Sequence, residues 1–206
     1  MMKARHIEPA IRRRDRPVCR RDRGFSVVEL IVVMSIAATL MTVAAPSMGM
    51  FVRNSRLQAQ ALELMRMMHL ARSEAVKRKS RVVLCRSVNP TAAVPACGGV
   101  SNTWTTGYVV FASGDGNSTY EAGTDELLRI GMPARNGLTV VTNSTSNNNL
   151  EFNFDGTTNE SGGTARFAIC DPRGGSFGRQ IDVTPVGRPA LSQGTSAQPV
   201  KCMSPT

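Results

Sequence analysis

One stretch constrains this chain more than any other. From Phe25 to Ala45 run 21 residues with a single charge, Glu29. As an α-helix they would span about 31 Å at ~1.5 Å per residue, against a bilayer hydrocarbon core of ~30 Å. The block before them, residues 1–24, holds nine Lys/Arg against three acids. A basic flank of this kind stays in the cytoplasm, so the rest of the chain is expected across the membrane. Most of the formal net charge of +10 sits in this short head. High basicity is therefore no argument for a nucleic-acid binder here. An ordinary secretory signal carries its small-residue cleavage site after the apolar stretch. Thr42–Ala45 is rich in small residues, but the notable junction lies before the stretch, at Arg23-Gly24-Phe25.

The texture of the sequence divides the chain into a basic leader (1–24), a transmembrane helix (25–45), a membrane-proximal amphipathic helix (46–79) and an extracytoplasmic β-domain (80–206). Pro46 and Gly49 follow the apolar stretch, where a proline kinks or interrupts a helix. From Arg53 to Lys79, Leu57, Ala61, Leu64, Met68, Ala71 and Ala75 recur three or four apart and mark one apolar stripe. Arginines and lysines on the other faces read as a solvated surface. Beyond Lys79 come short apolar runs: Arg81–Cys85, Gly107–Ala112, Leu127–Ile130, Leu138–Thr142, Leu150–Phe154, Thr164–Cys170 and Gln180–Pro185. Gly, Asn, Ser and Pro clusters separate them and no helical pattern intervenes. An antiparallel β-domain is expected, not a parallel sheet.

Five cysteines are present. Cys19 lies in the leader; Cys85, Cys97, Cys170 and Cys202 fall in the extracytoplasmic part. An even number in an oxidising space favours disulfides, and four cysteines allow three connectivities. Cys85–Cys97 and Cys170–Cys202 are favoured because each pair closes a loop beside an expected strand. A zinc site lacks the usual close spacing.

The segment Arg23-Gly24-Phe25-Ser26-Val27-Val28-Glu29-Leu30 closely resembles the leader junction of type IV pilins and type II secretion pseudopilins. The resemblance implies that a prepilin peptidase cuts after Gly24 and methylates the new terminus at Phe25. Glu29 then becomes an assembly residue. Elementary energetics points the same way. A charged side chain in the membrane costs ~2.5–3.5 kcal/mol at a helix centre and somewhat less near an end, so Glu29 needs a partner. The amine freed at Phe25 is a cation at the same depth. The competing reading is that Glu29 snorkels to the interface.

Further motifs resemble the GspH/FimT branch of minor pseudopilins, type II secretion protein H-like, over nearly the whole chain from Arg23 on. They are Asn54-Ser-Arg56-Leu57-Gln58, Leu70–Arg78, Val82–Cys85, Cys97-Gly98-Gly99, Trp104–Phe111, Asp115-Gly116-Asn117, Glu126–Arg129 and Phe152–Gly156. The 24-residue leader is long for this family, a departure consistent with a translation start downstream of Met1. The branch implies an α+β pilin-like fold, a long N-terminal helix packed on an antiparallel β-domain. It implies a structural subunit of a type IV pilus or type II secretion pseudopilus in the bacterial inner membrane. Its partners would be other pilins or pseudopilins, the prepilin peptidase, the membrane and the inner-membrane assembly platform. No catalysis and no cofactor are expected.

Three weaker signals need weighing. Gly174-Gly175-Ser176-Phe177-Gly178 matches the nucleophile-elbow pattern. That motif requires a strand-to-helix turn and a later histidine, and the only histidines, His6 and His69, come earlier. An ordinary periplasmic enzyme is disfavoured accordingly. The loop from Asp115 to Asp125 offers oxygen ligands to calcium but lacks the EF-hand pattern, so a hairpin loop is the stronger reading. Finally, Arg179, Arg188 and Lys201 belong to a basic C-terminal region that could meet DNA phosphate. Some members of the branch are DNA receptors in natural transformation, with an arginine-rich motif after a Gly-Arg pair. Here Gly187-Arg188-Pro189-Ala190 lacks the second arginine. A DNA-uptake receptor is the alternative function.

Overall fold

A computed structural model of the chain describes residues 24–99, 102–142, 149–160 and 163–202, with the side chains of 43–47 outside that description. Residues 1–23, which hold most of the leader with His6 and Cys19, lie outside the described residues. The chain divides into two compact units, Met1–Pro46 and Ser47–Thr206.

A single helix, α1, runs from Val27 to Arg78. The expected interruption at Pro46 is not observed. Proline has no N–H to give the Thr42 carbonyl, but one missing bond does not end a helix otherwise built of good helix formers. At its other end α1 stops through backbone geometry. Lys79 adopts a left-handed φ of 53°, and the Ser80 N–H reaches back to the Ala75 carbonyl at 3.3 Å. That six-to-one bond is the Schellman closure. Among the described residues no helix is long and apolar enough to cross a membrane. The apolar run of the sequence continues into residues 43–47, whose side chains are not described.

Ser47–Thr206 contains eight strands in two antiparallel sheets. The first sheet has the order β3-β2-β1-β5, built from Glu126–Gly131, Tyr108–Ala112, Val82–Arg86 and Asn149–Phe152. The second has the order β4-β6-β7-β8, built from Thr139–Thr142, Ala165–Cys170, Arg179–Val183 and Pro189–Gln193. Seven strands fall where the apolar runs predict them. The eighth, β8, starts on a proline and is mostly exposed, so it carries no alternating signal. It is an edge strand, where a proline costs no ladder bond.

The six stripe residues Leu57, Ala61, Leu64, Met68, Ala71 and Ala75 are all at most 1% exposed. They form one core with Leu84, Val110 and Phe152 of the first sheet and with Phe167, Ile169 and Ile181 of the second. Trp104 lies in the same core, edge-on to Phe167 with centroids 5.1 Å apart, a favourable aromatic geometry. Its backbone N–H bonds the Val140 carbonyl at 2.7 Å.

Strand side chains alternate between faces, yet β1 is buried at all five positions. The reason is that its second face is covered too. Val83 and Cys85 pack there with Val109, Phe111 and Tyr120, and Cys97 is bonded to Cys85 across 5.6 Å between Cα atoms. The second sheet repeats the device. Val141, Ala168 and Cys170 pack under Val200, and Cys202 is bonded to Cys170 with 6.0 Å between Cα atoms. Each disulfide therefore fastens a non-regular segment over the outer face of one sheet.

Candidate functional site

The residues singled out at the junction stand together at the start of α1. Gly24 and Phe25 precede the helix, and Glu29 lies in its first turn. Phe25, Glu29, Leu30, Val33 and Met34 line one shallow groove. Phe25 is 84% exposed, and Val27, Val28, Leu30, Ile31, Val32, Val33, Met34, Ile36, Leu40 and Met41 are all exposed as well.

The polar groups of this stretch are handled unequally. The Ser35 hydroxyl donates to the Ile31 carbonyl at 2.6 Å, Thr39 to Ile36 at 2.8 Å and Thr42 to Thr39 at 2.7 Å. These hydroxyls satisfy themselves on their own helix, which makes them tolerable in an apolar surrounding. Glu29 forms no hydrogen bond or ion pair among the described residues. Ser26 and Glu29 stand at capping-box spacing, which would offer Glu29 a local donor at the Ser26 N–H. That bond is not formed, and the Glu29 carboxylate has no partner among the described residues.

The basic C-terminal residues are used differently: Arg166 and Lys201 line one groove, while others are held within the protein. Arg179 is 7% exposed. Its Nε donates to Gln58 Oε1 at 2.9 Å, and its NH1 donates to the Phe177 and Gly178 carbonyls. Burial pushes its pKa down, with the Arg173 charge adding to the effect. Arg179 is thus withdrawn from the expected DNA-contacting surface, because it is held against α1. Arg173 is used in the same way. It pairs with Asp171 at 2.6 Å, donates to Asn54 Oδ1 at 2.9 Å and lies over the Phe177 ring at 4.5 Å. Arg166 faces Asp182 at 3.3 Å. Arg188 and Lys201 are exposed and enter no ion pair among the described residues.

Arg72 makes a third clamp, which the sequence reading missed. It donates from Nε to the Gly156 carbonyl at 3.1 Å and from NH2 to Val186 at 3.0 Å. A Cβ on Gly187 would lie 1.9 Å from the Gly156 carbonyl oxygen. The Gly of the Gly-Arg pair is therefore required by close backbone approach. The signal for the Arg173 and Arg179 clamps was the Asn54-to-Gln58 spacing, which places two amide acceptors one turn apart on the helix.

The other expectations resolve structurally. The Gly174–Gly178 segment connects two antiparallel strands, β6 and β7, so it is not a strand-to-helix elbow. A Cβ on Gly175 would lie 2.0 Å from the Val200 carbonyl oxygen, so this glycine serves close packing. In the acidic loop, Asp125 accepts from the Gly114 and Glu121 N–H groups at 2.9 and 2.8 Å, and Asp115 accepts from the Asn117 N–H at 3.0 Å. These carboxylates brace the hairpin. Among the described residues no group of three or more His, Cys, Asp or Glu side chains could hold a metal.

Comparison with known proteins completes the picture. Residues 19–45 match the prokaryotic N-terminal methylation motif. Residues 60–187, well over half the chain, match the family described as type II transport protein GspH. No curated protein sequence matches the chain. Among solved structures, the type IV minor pilin FimU of Pseudomonas aeruginosa strain PAO1 is similar in two crystal forms. One is 24% identical with a TM-score of 0.52, covering 73% of this chain and 97% of that one. The other is 23% identical with a TM-score of 0.51, covering 70% and 98%. That likeness shows the pilin fold. The family is one of structural subunits, membrane-anchored or pilus-associated, that assemble with other pilins in a filament. With the methylation motif at its head and the family match through its β-domain, this chain is a minor pilin or pseudopilin and belongs to the GspH family.

Proposed function

We propose that the chain begins as a single-pass protein of the bacterial inner membrane, with its β-domain in the periplasm. A prepilin peptidase removes residues 1–24, and the assembly platform then moves the subunit into a filament through the first part of α1. The observation that carries this reading is the exposed apolar start of α1, with Glu29 unpartnered among the described residues. Burying one Val, Leu, Ile, Phe or Met side chain is worth roughly 1.5–3 kcal/mol. A helix that leaves ten of them exposed must find lipid first and neighbouring helices afterwards. In both surroundings Glu29 needs a cation, and the amine that cleavage creates at Phe25 supplies it. Methylation keeps that amine charged. In this reading the chain catalyses no reaction, and its chemistry suits a type IV pilus and a type II secretion pseudopilus equally.

Intact-mass and N-terminal peptide analysis of the processed protein tests this. The expected start is N-methyl-Phe25; a mature start near residue 46 would sink the pilin reading. Of its three expected cations the second reading, a DNA receptor, is left with Arg188 and Lys201, beside the exposed Arg166. Gel-shift measurements comparing the native chain with Arg188→Gln/Lys201→Gln check it: equal, negligible retention of DNA by both removes it.

A further inference from the structure

One motif of the sequence is still without a task, the run Gly174-Gly175-Ser176-Phe177-Gly178 in the β6–β7 connection. What it surrounds is Val200. A Cβ on Gly175 would lie 2.0 Å from the Val200 carbonyl oxygen, and one on Gly178 would lie 3.2 Å from the Val200 Cβ. Gly194, just after β8, closes the third side: a Cβ there would lie 3.1 Å from the Val200 nitrogen and Cγ2, and 2.0 Å from the Gly175 carbonyl oxygen. Three glycines from two loops thus form a socket whose walls bare backbone alone can supply. Val200 fills it at 7% exposure, packed on Val141, Ala168 and Cys170.

The socket and what sits in it are mounted differently. The socket is braced from behind. The Gly178 N–H bonds the Gly175 carbonyl at 3.1 Å, and the Gly194 N–H bonds the Gly178 carbonyl at 3.0 Å. Arg179 donates to the Phe177 and Gly178 carbonyls while its Nε holds Gln58 of α1. Arg173 lies over the Phe177 ring and donates to Asn54 of α1. The two buried arginine clamps therefore fix the socket to the helix. Residues 195–202, by contrast, belong to no helix or strand. Among the described residues one backbone hydrogen bond joins this strap to the rest of the molecule, from the Val200 N–H to the Gly175 carbonyl at 3.1 Å. Two residues beyond Val200 stands Cys202, bonded to Cys170, and Cys170 is 2% exposed beneath the strap.

We propose that the glycine motif is the socket of a C-terminal latch: seating of Val200 delivers Cys202 to Cys170, so the socket gates closure of that disulfide. The inference is independent of the filament reading. With a low-molecular-weight disulfide such as oxidised glutathione, the Cys202 thiolate on the open strap attacks one glutathione sulfur and releases a glutathione thiolate. Val200 then seats, and the Cys170 thiolate displaces the second glutathione thiolate from Cys202. Two protein thiols are oxidised, one glutathione disulfide is reduced to two thiols, and the protein's two protons pass through solvent to them. Cys85–Cys97 lies on the other sheet, spans 12 residues against 32, and does not use the socket.

The test refolds the reduced full-length chain, carrying Cys19→Ser, in detergent micelles with a glutathione redox buffer. Free thiols are alkylated at intervals, and peptide mass spectrometry scores each disulfide separately. Gly175→Ala sets a methyl group against a backbone oxygen, and Val200→Asp puts a charge into the socket. Each should slow Cys170–Cys202 closure about tenfold or more and leave Cys85–Cys97 at its wild-type rate. Ser176→Ala, in the same loop, should close both bonds as wild type does. Emission of Trp104, the only tryptophan, reports whether the core has formed. Val200→Asp alters a residue outside both sheets, so it decides the question even where Gly175→Ala does not fold. Wild-type closure of Cys170–Cys202 in Val200→Asp overturns the proposal. Equal slowing of both disulfides by Val200→Asp would make the effect one on the whole fold and overturns it too, as does slowing by Ser176→Ala as large as by Gly175→Ala.

Discussion

The two stretches of α1 are opposites. Between Leu57 and Ala75 its apolar side chains form a single stripe, each at most 1% exposed, and charged side chains occupy the other faces. Between Val27 and Met41 apolar side chains point in every direction and are exposed. The first pattern is that of a helix whose surroundings are one protein core and water. The second is that of a helix with no single face turned to a core among the described residues. The same contrast holds for polar groups. Asn54, Gln58 and Arg72 are engaged by the β-domain through hydrogen bonds of about 3 Å, whereas Glu29 has no partner among the described residues. One stretch is finished by folding, and we propose that the other is finished by assembly.

Changes to the β-domain should act on stability and leave the first stretch untouched. The largest effect is expected from the disulfides. In the chain-entropy model a loop of 32 residues, as between Cys170 and Cys202, is worth about 4 kcal/mol. The 12-residue loop between Cys85 and Cys97 is worth about 3 kcal/mol. Urea unfolding of the two double-serine variants should rank them in that order. Both should expose the outer sheet faces that the tethered segments cover.

Next in size comes a pair that cuts across the comparison. Leu64→Ala removes a buried side chain from the main core and should cost about 2–5 kcal/mol in the same assay. Leu30→Ala should leave the unfolding midpoint where it is and reduce recovery in the filament fraction. Equal destabilisation by both would mean that the first stretch is also part of a folded core, and the comparison would fail.

The smallest effect is electrostatic. Arg78 bonds Glu74 at 2.6 Å and Glu126 at 2.5 and 2.9 Å. Those bonds hold both carboxylates below their ordinary value of 4.5. A carboxylate whose folded pKa is depressed contributes above its unfolded value, and the contribution is lost as pH falls through the folded value. Glu126→Gln should therefore lower the melting temperature slightly at pH 7, and the difference should fade as pH drops below 4.5. The pair is solvent-exposed, so raising the salt concentration should shrink the difference too.

Much of this contrast was legible in the sequence. The stripe from Leu57 to Ala75 was visible because a single packed face imposes a 3.6-residue period. The first stretch was visible because it lacks any period and carries one charge. Seven strands were readable for the same local reason. What could not be read depends on contacts far apart in the chain. The division of the strands into two sheets follows from pairings such as Leu84 with Leu150. The burial of Arg179 depends on Gln58, 121 residues away, so a sequence reading saw only another cation in a basic tail. β8 was missed because an exposed edge strand has no face to mark.

We propose that the amine which partners Glu29 is the one at Phe25 of a neighbouring subunit. Removing the carboxylate would strand that amine at membrane depth, and an uncompensated buried charge typically costs ~3–5 kcal/mol. That corresponds to a factor of roughly 10²–10³ in incorporation. The direct measurement is the ratio of assembled to membrane-resident protein, by immunoblot of sheared filaments and of cells, for wild type, Glu29→Leu and Glu29→Gln. The account predicts that both variants are inserted and cleaved normally, and that both fall out of the assembled fraction, since neither carries a charge. Recovery of both variants at the wild-type ratio would contradict it. Recovery of Glu29→Gln alone would show that the residue acts as a hydrogen-bonding cap on its own helix and not as the partner of a neighbouring amine.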